Sequence, residues 1–416
     1  GAPGGPVADR GDATGREIGR DGLQRKLGEG GRGEVWLAEQ SEPVRRQVAL
    51  KIIKRGMDSE HFVARFEGER QALAMMDHRA VAKIFDAGAT PEGRPYLVME
   101  YVDGLPITEY CDRAKLTTKE RLELFQEVCG GVQHAHQKAI LHRDLKPTNV
   151  LVARDGDRPV PKIIDFGVAK ALDAKLTERT LFTELGQVIG TPEYMSPEQA
   201  DLSGDHVDTR TDIYSLGVLL YEVLVGVLPF DPEDLRRAGF DEILRRIRED
   251  DPPRPSTRLS TLGGSSPVTL ERRRTTAHRL TSQLRGDLDW ITMKALEKDR
   301  ARRYGSASEL ADDIRRYLRH EPVSAGPPSA SYRMSKFVRR HRVGVTFASV
   351  AAVFLVVFAA TTSVQSAKIA RERDRANDEA ETARRISDFI IGLFEDADPG
   401  RAKGADVTAR EILDAG

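Results

Sequence analysis

Apolar residues alternate with polar ones between residues 22 and 102, in "EVWLAEQ", "QVALKII" and "YLVMEYV". A period of two predicts half-buried strands. One block inside that region, "SEHFVARFEGERQALAMM", carries its apolar residues at helical spacing and predicts a single helix. From about 105 to 320 the helical period dominates, in "TKERLELFQEVCGGVQHAHQ", "DIYSLGVLLYEVLVG" and "ELADDIRRYLRH". A hairpin interrupts it at "NVLVARDGDRPVPKIIDF", with its turn at Asp155, Gly156 and Asp157. A strand-rich part followed by a larger helical part predicts two lobes. "LSTLGGSSPVTLERRRTTAHRLTSQL" is polar and reads as an exposed excursion from the second lobe.

Beyond the lobes the pattern changes. Residues 323–342 read as a basic linker, and "VGVTFASVAAVFLVVFAATTSVQSA" (343–367) then contains no charge. About 20 apolar residues cross the ~30 Å hydrocarbon core, so 343–365 is expected to be a transmembrane helix. Before it, Arg333, Lys336, Arg339, Arg340 and Arg342 stand without an acid; after it, Glu372 and Asp374 dilute the basic residues. The unbalanced positive charge predicts that the N-terminal part is cytoplasmic. Residues 366–416 begin as a charged helix with Ile386, Phe389, Ile390, Leu393 and Phe394 on one face. They are expected to be the truncated start of a larger extracytoplasmic region. Residues 1–18, poor in large apolar groups, read as a disordered lead-in.

Composition adds exclusions. A net charge of −1 over 416 residues gives no global case for nucleic-acid binding. The two cysteines, Cys111 and Cys129, form no C-x-x-C motif, which argues against a disulfide framework or structural zinc and for a reducing compartment.

The first chemical signal is "GEGGRGEV" (28–35), a G-x-G-x-x-G spacing. Such a loop holds phosphates either beneath a dinucleotide, where a helix follows the third glycine, or as a bent strand pair over ATP. Here Glu34-Val35-Trp36-Leu37-Ala38 follows, and then a second strand carrying "VALK" (48–51). That order disfavours the dinucleotide site.

With "LVMEYVDG", "LHRDLKPTN" (141–149), "IIDFG" (163–167) and "GTPEYMSPE" in series, the chain resembles the eukaryotic-type (Hanks-type) serine/threonine protein kinases over residues 22 to 320. Within that family it is most similar to the single-pass, membrane-anchored kinases of bacteria. The resemblance implies an α+β, bilobal fold over 19–322, with a small lobe at about 22–102 and a helical lobe at about 103–320. It implies a non-specific serine/threonine protein kinase, which transfers the γ-phosphate of ATP to protein hydroxyls with Mg²⁺, or Mn²⁺ in its place.

Residue by residue, the family pattern implies these roles. Leu27, Gly28, Glu29, Gly30, Gly31, Arg32 and Gly33 form the lid over ATP, with Arg32 at its tip. Lys51 grips the phosphates and pairs with Glu69 of the helix that follows. Met99 is the gatekeeper beside adenine, Glu100 and Val102 offer it backbone hydrogen bonds, and Val35, Ala49 and Leu151 sandwich it. Asp144 orients the substrate hydroxyl and accepts its proton, Lys146 neutralises the γ-phosphate, and Asn149 and Asp165 ligate the metal. His142 is read as structural. Thr191 faces the catalytic aspartate, Glu198 pairs with Arg303, and Asp212 braces the catalytic loop. Arg143 marks control by phosphorylation of the activation segment, with Thr177, Thr180 and Thr183 as acceptors.

Protein substrates, one membrane span and a homodimer for trans-autophosphorylation are the implied partners, with no nucleic acid. The implied location is the plasma or inner membrane. A non-catalytic pseudokinase scaffold is the alternative; such proteins ordinarily lose the strand Lys, the catalytic Asp or the metal Asp, and all three are present. Small-molecule phosphotransferases of related fold lack this combination of motifs.

Overall fold

The computed structural model describes residues 16–30, 33–42, 44–53, 75–166, 192–201, 207–237, 239–261 and 271–396. Gly31, Arg32, Glu69, Thr177, Thr180, Thr183 and Thr191 lie outside the described residues, as does most of the predicted helix after Lys51. The chain divides into two units, residues 1–337 and 338–416.

The first unit begins with a six-stranded antiparallel sheet: β1 Glu17–Ile18, β2 Asp21–Gly30, β3 Gly33–Gln40, β4 Arg46–Ile53, β5 Ile84–Ala89 and β6 Pro95–Glu100, in the order β1-β2-β3-β4-β6-β5. Period-two alternation splits its side chains into two faces. Trp36, Ala38, Val48, Leu50, Ile52 and Val98 pack on one. Val35, Ala49, Ile53, Leu97 and Met99 pack on the other. Ile18 is 2% exposed and belongs to the first cluster, so β1 falls within the expected lead-in. A single apolar residue there closes the sheet edge, which overall composition does not reveal.

Helices follow. α1 Ile107–Arg113 leads to α2 Thr118–His136, which opens on a capping box between Thr117 and Glu120. A small sheet, β7 Leu105–Pro106, β8 Val150–Asp155 and β9 Arg158–Ile163, carries the predicted hairpin, with Gly156 at φ +60° in its two-residue turn.

The centre of the lobe is α3 Thr209–Val225. It is apolar on nearly all sides and buried, as such helices must be. The Asp208 side chain caps its start, and Gly226, at φ +87°, ends it. Around it lie α4 Pro232–Arg237, α5 Phe240–Glu249, α6 Pro255–Thr261, α7 Ala277–Leu284, α8 Asp287–Ala295 and α9 Ala307–Leu318.

Residues 323–342 differ from the expected linker. α10 spans Ala330–Arg340, and Tyr332 stacks edge-on against Trp290 at 5.4 Å. The Tyr332 hydroxyl donates to Asp287 Oδ1 at 3.0 Å, and Lys336 pairs with the same carboxylate. Proline, glycine and serine upstream suggest a linker, but the aromatic and ammonium anchors are long-range contacts.

The second unit is dominated by α11, Arg342–Asp396. It runs unbroken through the expected span and into the charged segment, because no helix-breaking residue separates them. It is long and apolar enough to cross a membrane, and its apolar residues from Val343 to Val364 are exposed.

Candidate functional site

The glycine motif lies in a hairpin. Gly28 pairs with Val35, Glu29 with Glu34 and Gly30 with Gly33 across the antiparallel β2–β3 ladder. Gly33 has a steric reason to be glycine: a Cβ there would lie 2.3 Å from the Ile52 carbonyl oxygen. No helix follows the third glycine, which removes the dinucleotide geometry.

Register then sets the next residues. Val35 faces Lys51, Leu37 faces Ala49, and Ala49 faces Met99 across adjacent strands. Val35, Ala49 and Met99 therefore share one sheet face with Lys51. Lys51 is 8% exposed, and a buried ammonium needs a carboxylate. Its Nζ lies 2.8 Å from Asp165 Oδ2. Among the described residues its ion-pair partner is this aspartate of "IIDFG"; the expected partner Glu69 lies outside the described residues.

Asp165 sits at φ +66°, a left-handed conformation uncommon for a non-glycine residue and concentrated at functional sites. Phe166 beside it is 3% exposed and packs edge-on to His142, with ring centroids 4.8 Å apart.

The segment "LHRDLKPTN" folds as a loop ending in a short turn, Pro147–Asn149. Lys146 Nζ lies 3.1 Å from Asp144 Oδ2. Asn149 donates its amide nitrogen to the Asp144 carbonyl at 2.7 Å. That bond leaves the amide oxygen of Asn149 as its acceptor atom.

Asp212 holds the loop from below. Its fully buried carboxylate accepts from the backbone N–H of His142 at 2.8 Å and of Arg143 at 2.7 Å, and meets His136 Nε2 at 2.7 Å. Burial alone would raise the Asp212 pKa, but the His136 hydrogen bond and the surrounding donors hold it below the ordinary value. The Asp144 N–H donates to His142 Nδ1 at 3.3 Å, so that nitrogen accepts and Nε2 carries the proton toward the Ile164 carbonyl, 3.0 Å away. Ile164 also donates its N–H to the Asn149 carbonyl at 3.0 Å. One backbone unit thus ties the Asp144 loop to Asp165.

Glu198 and Arg303 form a bidentate pair, 2.7 and 2.8 Å, with the Arg303 side chain fully buried. Arg303 also donates to the carbonyls of Glu297, Lys298 and Arg210. Thr211 donates to Glu198 at 2.8 Å. Burial pushes Glu198 up, yet the Arg303 guanidinium outweighs it and the carboxyl sits below its usual range.

Leu27 and Gly28 are exposed, and Val102 and Leu151 are half-buried, with Leu151 opposite Pro106. The side chain of Glu100 meets Lys162 at 2.8 Å, and its N–H donates to the Lys83 carbonyl at 2.7 Å.

Three contributors escaped the sequence reading. His136 closes the Asp212 cluster, Lys162 anchors Glu100, and Gln199 donates to the Arg143 carbonyl at 2.8 Å. "QHAHQ" carried a weak signal, since a histidine on the buried side of a helix needs a polar partner. Lys162 and Gln199 look like ordinary surface residues.

Among the described residues, no three His, Cys, Asp or Glu side chains come together to hold a metal. The Asn149 amide and the Asp165 carboxylate are hard oxygen donors. They suit an ion that keeps water and phosphate oxygens in its shell, as Mg²⁺ does, and not one caged by protein.

A protein kinase domain family model matches residues 22–313. The chain is 39% identical over 251 residues to the serine/threonine-protein kinase Pkn1 of Myxococcus xanthus, covering 60% of this chain and 34% of that protein. It is 35% identical over 304 residues to PknB, a serine/threonine-protein kinase of Mycobacterium tuberculosis, covering 72% and 43%. It therefore spans less than half the length of these relatives. The PknI kinase domain of Mycobacterium tuberculosis is similar in structure, at TM-score 0.51 and 25% identity, over 73% of this chain and 99% of that one.

Proposed function

We propose, for a chain that belongs to the Hanks-type serine/threonine protein kinase family, transfer of the γ-phosphate of ATP to Ser and Thr hydroxyls of proteins, itself included. One observation carries the reading: Asp144, Lys146, Asn149, Asp165 and Lys51 lie in one hydrogen-bonded constellation bridged by the backbone of Ile164. Two ammonium groups, two carboxylates and an amide oxygen are what in-line phosphoryl transfer uses.

In this mechanism ATP enters beneath the β2–β3 hairpin, with adenine against Val35, Ala49, Leu151 and Met99. Backbone groups of Glu100 and Val102 fix its edge. Lys51 turns from Asp165 to the α- and β-phosphates. Asp144, oriented by the Asp212 cluster beneath it, accepts a hydrogen bond from the substrate hydroxyl and takes its proton as the oxygen attacks. Lys146 neutralises the γ-phosphoryl oxygens. Mg²⁺, for which Asn149 and Asp165 supply protein oxygens, would neutralise charge developing on the phosphates, and Mn²⁺ fits the same donors. Most of the rate gain is positioning and charge stabilisation.

The apolar stretch of α11 supports single-pass anchoring in the cell membrane, and the basic flank supports a cytoplasmic kinase lobe. Arg143 supports control by phosphorylation of the activation segment.

The deciding assay incubates the full chain in detergent with γ-labelled ATP, Mg²⁺ and a generic basic protein. Label on Ser and Thr is expected. ATP binding with neither transfer nor autophosphorylation would instead establish the pseudokinase scaffold. Trans-phosphorylation between copies gives a second expectation: the initial rate of self-labelling rises with the square of protein concentration. A specific rate independent of concentration would mean that each chain labels itself.

A further inference from the structure

α10 is two-faced. Tyr332 and Lys336, four residues apart, are its half-buried side chains, and both bond to Asp287 on the kinase lobe. The Tyr332 hydroxyl also accepts from the Val323 N–H at 3.1 Å. On the opposite side, Met334, Phe337 and Val338 recur at i, i+3 and i+4 and are 62%, 56% and 40% exposed. Arg333, Arg339 and Arg340 flank that stripe, and no acidic residue occurs between Glu321 and Glu372.

A folded lobe has no reason to clip a helix in place with its apolar stripe in water. From Phe337 the chain reaches the uncharged stretch beginning at Val343 within six residues. We infer that α10 is an interfacial helix whose Met334–Phe337–Val338 face docks onto an anionic lipid surface while its Tyr332–Lys336 face stays clipped to Asp287. Apolar side chains enter the boundary between headgroups and acyl chains, and the arginines meet lipid phosphates. The charge pattern selects this occupant. A second copy packing α10 against α10 would set arginine against arginine, and the surrounding 50 residues of the chain offer no acid to offset them, whereas anionic lipid does.

The inference rests on the membrane reading of α11, and the test separates the two. The full chain carrying Met334→Cys, Ser335→Cys or Val353→Cys is spin-labelled and placed in nanodiscs, either zwitterionic or with about 30% anionic lipid. Collision of the nitroxide with oxygen reports lipid, and collision with a water-soluble nickel complex reports water. At Met334 in anionic discs, oxygen access is expected to exceed nickel access, and nickel access to fall at least about threefold from its zwitterionic value. The label at Ser335, off the stripe, stays open to nickel. A water-exposed Met334 label in both discs overturns the docking. Equal insertion in both overturns the anionic preference, and a label shielded from both reagents means that protein covers the stripe. A lipid-exposed Val353 label keeps the span whichever way Met334 reports.

Discussion

Asp144→Asn is expected to lower phosphate transfer to a generic substrate and to the chain itself by about 10²- to 10⁴-fold, while ATP affinity changes less than about twofold. The amide keeps the shape and its bond distance to Lys146, but it cannot take a proton from the attacking hydroxyl. Nucleotide binding depends on other groups, Lys51 and the strand face of Val35 and Ala49, so the effect should fall on kcat. The Asp212 cluster bonds to the backbone of His142 and Arg143 and not to the Asp144 side chain, so the loop should hold its place. Radiolabel transfer and calorimetric ATP titration on the same preparation separate the two effects. Transfer at the parent's rate would remove Asp144 from the reaction and the mechanism with it.

Arg303→Met should cost about 3–5 kcal/mol of stability, because it leaves the Glu198 carboxylate buried without its cation. Four further acceptors lose donors with it, the carbonyls of Glu297, Lys298 and Arg210 and the second oxygen of Glu198. The pH dependence has a definite sign. The folded-state pKa of Glu198 is lowered, so its contribution is present above the unfolded carboxylate value of about 4.3 and is lost as pH falls through the folded value. In the variant burial pushes the unpaired carboxyl up, so the gap between parent and variant in urea midpoint is expected to be widest at neutral pH and to narrow progressively as pH falls through the carboxylate range. A gap that is constant with pH would assign the loss to packing and not to the ion pair. Glu198→Gln combined with Arg303→Met should recover part of the deficit, since a neutral buried amide is cheaper than an unpaired charge.

Much of the candidate site was legible because the residues the proposed phosphoryl transfer would use fall at short spacings. Asp144, Lys146 and Asn149 fall within six residues, and the loop that holds them needs no distant contact to be noticed. The β-rich stretch after Gly33 likewise decided the fate of the glycine motif, since a strand and a helix differ in period within a few residues. Pairings across the chain were legible only through the family pattern. Glu198 and Arg303 are 105 residues apart, and nothing local in either segment names the other.

Contacts that follow no pattern leave no trace in the sequence. Gln199 reaches the Arg143 carbonyl across 56 residues, and Lys162 reaches Glu100 across 62. Both side chains are long and polar, and a sequence does not show which of many such residues is half-buried. Tyr332 and Lys336 look like linker for the same reason: their partners, Asp287 and Trp290, lie on another helix.

By itself the sequence determined the two-lobed α+β layout, the short spacing that groups Asp144, Lys146 and Asn149, and the uncharged stretch long enough to cross a bilayer. Each of these depends on periodicity or on neighbours a few residues apart. Only the tertiary structure decided that Lys51 rests on Asp165, that His136 completes the Asp212 cluster, and that the basic segment ahead of α11 is a helix clipped to the kinase lobe. Burial makes those choices. Once a charged or polar group leaves water it must find a partner, and the one within reach is set by how distant elements pack.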